Sequence, residues 1–240
     1  MTAVAAPLIS QTGLVENSRA VRTTIALKFL MAASGVLFIG FVLVHMYGNL
    51  KAFSGHEAFN EYADHLRVLG TPMLPREGFL WVMRVVLILA LVVHVGTGMA
   101  LWRRAANARP VKYVVKKHTG AIPAARIMRI AGVWILGFLI WHLINFTIGK
   151  VNPAGGATND PYNLLVDDFK TWWNTVIYLI SMAFLGAHIH HGTWSAMQTL
   201  GWTGSAQSRT RARTFALAVA IVIAGGFSLV PLGVVFGIID

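Results

Sequence analysis

Residues 25–47 read IALKFLMAASGVLFIGFVLVHMY, a run whose only formal charge is Lys28 near its start and which closes on a histidine, His45. A helix of about 20 residues crosses a hydrocarbon core of about 30 Å, and this run is long enough. Four further apolar stretches follow, at 79–102, 127–148, 172–197 and 214–239, none holding an acidic residue. A segment in lipid must satisfy its own backbone, so spanning structures are helices or closed barrels. These continuous runs lack the alternation of barrel strands. The expectation is an all-α integral membrane bundle of five transmembrane helices, one membrane domain over 1–240, with Pro231 bending the last helix at most.

Composition agrees. Hydrophobic residues make up 56% of the chain and charged residues 12%, too apolar for a soluble domain of this size. There is no cysteine, so the chain can neither ligate an iron–sulfur cluster through thiolates nor attach haem covalently through a C-x-x-C-H motif. Any cluster must sit in a partner. Residues 1–24 lack the apolar core and small-residue site of a cleaved signal, so the tail is expected to remain.

Charge sets an orientation. Of the 20 lysines and arginines, only Lys51, Arg67, Arg76, Arg84, Lys150 and Lys170 fall on the side of the 51–78 and 149–171 connections, together with every acid except Glu16. The rest, among them Arg19, Arg22, Lys28, Arg109, Lys112, Lys116 and Lys117, cluster at the other side. The positive-inside bias places the N-terminus in the cytoplasm of a multi-pass inner-membrane protein and Asp240 outside. The net charge of +11 is then topogenic, and nucleic-acid binding is not expected because the cations are dispersed over short membrane loops.

Four of the runs carry a histidine: His45, His94, His142 and His188. An ionisable side chain inside a membrane points to function. His45 lies six residues before Lys51 and His142 eight before Lys150, which puts both about 9–12 Å from the outer boundary at about 1.5 Å per residue. His94 follows Glu77 by 17 residues and His188 follows Trp172 by 16, about 24–26 Å deep by the same rise. Two pairs result, an outer one on the first and third spans and an inner one on the second and fourth, as suits metal-centred cofactors in a four-helix bundle. Gly98 and Gly192 each follow an inner histidine by four residues and leave a side-chain-free patch beside it for a flat macrocycle. Gly35, Gly40, Gly132 and Gly137 are explained by close helix packing alone. His191 is the rival to His188, His190 points elsewhere, and His56, His65 and His118 read as solvent or interface residues. Zinc suits the set poorly, since it is spread over two depths with no acid in any span.

With these residues in place the chain resembles a known family, the di-haem cytochrome b membrane anchors of succinate dehydrogenases and fumarate reductases, in the single-polypeptide, five-helix form of the actinobacterial branch. The resemblance spans nearly the whole chain. It is carried by Ser34-Gly35, by His45-Met46-Tyr47-Gly48-Asn49-Leu50, by Gly55-His56-Glu57-Ala58-Phe59-Asn60-Glu61-Tyr62, by His94, by Trp141-His142, and by His188 through Gly192 followed by Gln198-Thr199-Leu200-Gly201. It implies one axial histidine from each of the first four helices, hence two haem b groups on His45, His142, His94 and His188, with His188 favoured over His191. It further implies a flavoprotein and an iron–sulfur subunit on the cytoplasmic side, room for the complex to oligomerise, and electron transfer to a membrane quinone, menaquinone being the expected one. The family's helix-four glutamate, linked to transmembrane proton transfer in some members, has no counterpart in this fourth span.

For the quinone, two mouths offer themselves. Glu57, Glu61 and Asp64, with Glu77, would exchange protons at an outer site; Ser34, Arg22 and Lys28 would line an inner one. The outer mouth is favoured because an outer haem needs an electron acceptor or donor nearby. The rival readings are a cytochrome b anchor of another quinone-linked dehydrogenase or hydrogenase, and a non-redox transporter that uses the histidines as a polar path.

Overall fold

A computed structural model describes residues 23–108, 121–148 and 158–240; the N-terminal tail with Arg19 and Arg22, the 109–120 connection with His118, and Lys150 lie outside them. Every regular element among the described residues is helical. Five helices are long and apolar enough to cross a membrane: α1 (Thr24–Leu50), α3 (Gly78–Asn107), α4 (Ala121–Leu143, continued by a π-helical turn Ile144–Ile148), α6 (Trp172–Thr199) and α7 (Ala206–Val235). Two short helices, α2 (His56–Val68) and α5 (Pro161–Lys170), occupy the same end of the bundle, here called the acidic end.

Polarity is inverted relative to a soluble protein. The large residues on the outside are apolar, such as Ile88, Leu89, Val92 and Val133, each more than half exposed, whereas the buried positions include Ser34, Thr97, Asn145, Asp168, Asn174 and Ser181. A lipid solvent accounts for both, because it welcomes the former and leaves the latter to find partners inside the protein.

α1 packs against α3, α6 and α7, and α6 against α4 and α7. The first four spans thus form an open ring in the order α3, α1, α6, α4, with no packing seam between α3 and α4 among the described residues. α7 lies outside this ring against α6. Its seam is a ridge of small residues at four-residue spacing, Ala212, Ala216 and Ala220, all buried, continued by Ala224. Small residues let backbones approach where no hydrophobic drive separates helix from lipid.

Besides α3 running on to Asn107 instead of 102 and α4 starting at Ala121 instead of 127, two features depart from the sequence expectation. α7 begins at Ala206 rather than 214 and ends at Val235 rather than 239. Its start is held by a reciprocal capping box between Ser205 and Ser208, so the helix runs on past the apolar stretch through Arg209, Arg211 and Arg213. Its end is a Schellman closure in which Gly237, at φ 67°, lets Ile238 N–H reach the Gly233 carbonyl at 2.8 Å. Pro231 sits inside without ending it. The second departure is α2 and α5, which fold connections that hydropathy alone leaves blank. At α5 the Asp160 side chain accepts from Asn163 N–H at 3.0 Å with Pro161 in the first turn, and Tyr162, Leu165, Val166 and Phe169 then bury against Val230, Val234 and Ala52.

A Cβ on Gly186 would stand 3.1 Å from the Ala224 Cβ across the α6–α7 seam. Gly186→Val is therefore expected to force the helices apart and to cost about 1–3 kcal/mol, read as a lower unfolding midpoint in detergent, while Gly40→Ala, with open space around it, leaves the midpoint unchanged.

Candidate functional site

The four intramembrane histidines meet across the diagonals of the ring. His45 on α1 faces His142 on α4 with ring centroids 5.8 Å apart, and His94 on α3 faces His188 on α6 at 6.1 Å. Among the described residues neither helix pair shares a backbone packing seam, and the imidazoles meet across the ring. A metal–imidazole bond is about 2 Å long and a ring centre lies about 1 Å behind its nitrogen, so two rings facing one ion across its axis stand about 6 Å apart. Both pairs have that separation. Ser34, which touches His94, and His45 are 11 residues apart on α1, which stacks the two sites about 16 Å apart along the bundle.

The ring nitrogens show which atom is free for a ligand. Ser34 Oγ has one proton and donates it along α1, to the Leu30 carbonyl at 2.8 Å with the Met31 carbonyl at 3.1 Å. The same hydroxyl lies 3.0 Å from His94 Nδ1, within hydrogen-bond reach. With Ser34 giving its proton to its own helix, the tautomer that suits this contact has the hydrogen on Nδ1 and the lone pair on Nε2, the arrangement a second neighbour gives a metal-binding histidine. His142 Nδ1 lies 3.2 Å from the Tyr178 hydroxyl. His188 Nδ1 is buried without a hydrogen-bond partner, and His45 stacks on Phe41 at 5.3 Å. The ring facing His94 belongs to His188; His190 is exposed and His191 half-buried beside it. Among the described residues no group of three or more His, Cys, Asp or Glu side chains gathers as a metal site. Two imidazoles without further protein ligands do not make up the four-ligand set of a structural zinc site.

The glycines divide differently from their spacing. Gly192 has open space about it, but a Cβ on Gly98 would meet Met31 Cε at 3.2 Å. The glycines that look directly onto the inner imidazoles come from the neighbouring helices: Gly35 of α1 faces His94 Cε1 at 3.5 Å, and Gly132 of α4 faces His188 Cε1 at 3.7 Å, each measured from where a Cβ would stand. Both had an adequate explanation in helix packing, and only the fold shows what they face.

At the acidic end, Glu57, Glu61 and Asp64 all lie on exposed positions of α2, with Asp64 paired to Arg67 at 2.6 Å. The acid that the fold encloses is Asp168 of α5, wholly buried. Asn174 Nδ2 donates to its Oδ2 at 2.6 Å and Asn145 Nδ2 lies 3.4 Å from its Oδ1, while Trp141 Nε1 donates to Asn174 Oδ1 at 2.9 Å. Burial pushes the Asp168 carboxyl up to about 7, against the pull of the two asparagine amides. Sequence reasoning passed over this residue; the signal for it was a set of amide and indole side chains, Trp141, Asn145 and Asn174, at the ends of two spans. Nearby, Asp160 receives His56 Nε2 at 2.6 Å and Asn60 Nδ2 at 3.0 Å, tying α2 to α5. Partial burial raises the Asp160 carboxyl, but hydrogen bonds from Asn163 N–H, Asn60 and His56 outweigh it and hold the group below its ordinary range.

The basic end is more open. A cavity of about 300 Å³ between α1 and α6 is lined by Ile25, Lys28, Ser195, Gln198 and Thr199. Ser34 is not part of it, being buried against His94, and Arg22 lies outside the described residues. A second cleft, about 590 Å³, lies between α3 and α4 with Trp102, Arg126, Arg129 and Trp134 on its walls, and the Arg129 guanidinium sits 5.4 Å over the Trp102 ring. Comparison of the chain with protein-family models, with curated proteins and with solved structures finds no match.

Asp168 gives the acidic end a pH signature. With its folded pKa raised from 3.8 to about 7, the folded state holds the proton more tightly than the unfolded state, so stability falls as pH rises through that interval, by about 1.4 kcal/mol per unit at most. Asp168→Asn has no such slope. Its unfolding midpoint should gain on the parent between pH 4 and 7 and run parallel to it above pH 8; a constant difference over the whole range would contradict the assignment.

Proposed function

We propose that this chain is the membrane-anchor cytochrome b subunit of a succinate:quinone oxidoreductase, an electron-transfer subunit that links a cytoplasmic iron–sulfur protein to membrane quinone through two haem b groups. The observation that carries the reading is the double diagonal: one histidine from each of four helices, paired at 5.8 and 6.1 Å, in a chain whose motifs run in the order of that family. The bundle lies in the inner membrane with its basic end and N-terminus cytoplasmic and its acidic end outside, as the charge bias requires.

His45 and His142 would hold the outer haem, His94 and His188 the inner one, and the bound haems would supply two one-electron carriers stacked across the membrane. The chain's own residues position them. Ser34 turns Nε2 of His94 inward by accepting from Nδ1, and Tyr178 stands where it can do the same for His142. Phe41 against His45 and Phe38 against His94 keep water from the rings. Gly35 and Gly132 keep side chains off the inner pair. Arg126 and Arg129, on the cleft between α3 and α4, would be the nearest described cations of that cleft for the carboxylates of a bound haem.

Without cysteine, the chain depends on a partner for clusters, and the cations Arg103, Arg104, Arg209 and Arg211 at the basic end offer a docking face for it. For the quinone, the outer reaction remains our preference, with the α2 carboxylates Glu57, Glu61 and Asp64 exchanging protons with water at the acidic end. The cavity by Lys28, Ser195 and Gln198 is the inner alternative.

Pyridine-haemochrome analysis of the purified protein is expected to give two haems per chain, with a reduced-minus-oxidised spectrum of low-spin b type; a colourless protein would overturn the cytochrome reading in favour of a transporter or a structural anchor without haem. His188→Ala should lose the inner haem preferentially and His191→Ala should keep it, and the reverse would transfer the ligand role to His191.

Gentle detergent purification should recover a flavoprotein and an iron–sulfur protein. A reporter fused after Asp240 should be active only outside the cytoplasm, and cytoplasmic activity would invert the topology.

A further inference from the structure

The Asp168 cluster is placed to do something that neither the haem ligands nor the exposed α2 carboxylates can. It is walled off from solvent by α5, which closes the acidic mouth of the bundle beside His142. Tyr178 joins the two: its hydroxyl is 3.2 Å from His142 Nδ1, its ring packs on Phe169 of α5 at 4.9 Å, and the Asn145 side chain reaches both Asp168 and the Tyr178 hydroxyl. Asn145 follows His142 by three residues, in the π-helical turn that ends α4.

The surroundings suit the carboxyl in both protonation states. As a carboxylate it is met by N–H groups from Asn145 and Asn174. Asn174 is locked in that orientation, since its oxygen is taken by the Trp141 indole. Asn145 is not: its Oδ1 is buried with no hydrogen-bond partner. A buried acceptor left empty costs free energy unless some state of the protein fills it. A neutral Asp168 has an O–H to give, and a half-turn of the Asn145 amide brings Oδ1 round to accept it. Among the described residues the carboxyl has no ion pair, and its hydrogen bonds come from the two asparagines. From its own helix Asp167 and Lys170 flank it, from α6 comes Tyr178, from α2 only the His56–Asp160 pair at the far end of α5, and the part of α7 packed here contributes Val230 and Val234.

We propose that Asp168 is the proton-loading group of the outer redox site: when one electron reaches the iron held by His45 and His142, taking it from ferric to ferrous, one proton from the outer aqueous side converts the Asp168 carboxylate to the neutral acid, and the proton leaves when the electron does. The electron comes from a quinol or from the iron–sulfur partner, so this inference rests on the function proposed above. Coulomb coupling in a low-dielectric setting supplies the link, since a site that becomes more negative raises the proton affinity of a nearby acid. Linkage makes the effect reciprocal, so the outer site must be harder to reduce where Asp168 is ionised.

The test uses the complete complex. Haem content is measured first, and its absence overturns the functional reading and this inference with it. With haem present, the midpoint potential of the outer haem is titrated against pH. The expected result is a potential that falls with rising pH about neutrality and is flat at either extreme, while the inner haem is insensitive; in Asp168→Asn the outer potential loses that dependence. Redox-difference infrared spectra of the unmodified complex supply a reading that does not depend on the variant folding. A protonated-carboxyl band should appear on reduction at neutral pH, shift in deuterium oxide, and be missing from the variant wherever the variant assembles. An unchanged pH dependence in Asp168→Asn, or no carboxyl band in the unmodified complex, overturns the inference and leaves the haem assignment standing.

Discussion

An imidazole inside a hydrocarbon slab is costly unless it faces a polar partner, and in the first four helices each of the four histidines faces another across the ring. Histidines on helices that pack directly would be crowded by backbone, whereas histidines on the diagonals of a ring look at one another across open interior. The ring has that geometry: α3, α1, α6 and α4 touch in sequence, while α1 and α4, and α3 and α6, approach chiefly through the paired imidazoles. Ser34 illustrates how far the requirement reaches. Its hydroxyl reaches the Leu30 carbonyl of its own helix at 2.8 Å and His94 Nδ1 of a different helix at 3.0 Å, so one side chain ties the ring to the backbone beside it.

The spans were legible in the sequence because lipid selects on one variable, and an apolar run of twenty residues needs no knowledge of its neighbours. Pairing the histidines by depth was legible for the same reason, since distance along a helix maps directly onto distance through the membrane. What hydropathy could not show is structure outside the slab. The start of α7 was hidden by Arg209, Arg211 and Arg213, which are compatible with a helix but not with hydrocarbon. α5 was hidden because ten residues of mixed polarity carry no membrane signal, although Asp160-Pro161 is a helix-start pattern that capping rules recognise.

Asp168 marks a different limit. Beside Asp167 in a polar connection, it reads as one of two solvated acids, and nothing in its immediate sequence separates them. Only the docking of α5 over α6 and α7 buries one and leaves the other at the margin. The residues that enclose it lie at Trp141, Asn145, Asn174 and Tyr178, so its environment is built from two spans and a connection at once. Gly35 and Gly132 follow the same logic: spacing along one helix pointed to Gly98 and Gly192, whereas the glycines that face the inner imidazoles come from across the ring.

The bundle also divides its labour. α7 carries no histidine, yet with α6 it forms the tightest seam in the protein, built on Ala212, Ala216, Ala220 and the wholly buried Ile223. At the acidic end its Val230 and Val234 anchor α5, and Phe227 reaches the outer pair at 5.7 Å from the His45 ring. The four-helix ring, by contrast, buries little of itself: α3 encloses only Ala90 and Thr97. A ring that buries so little does not generate much packing energy of its own in lipid, where helices gain from close contact and not from hydrophobic exclusion. The fifth helix supplies that contact from outside the ring of histidine-bearing helices and touches the outer pair only through Phe227.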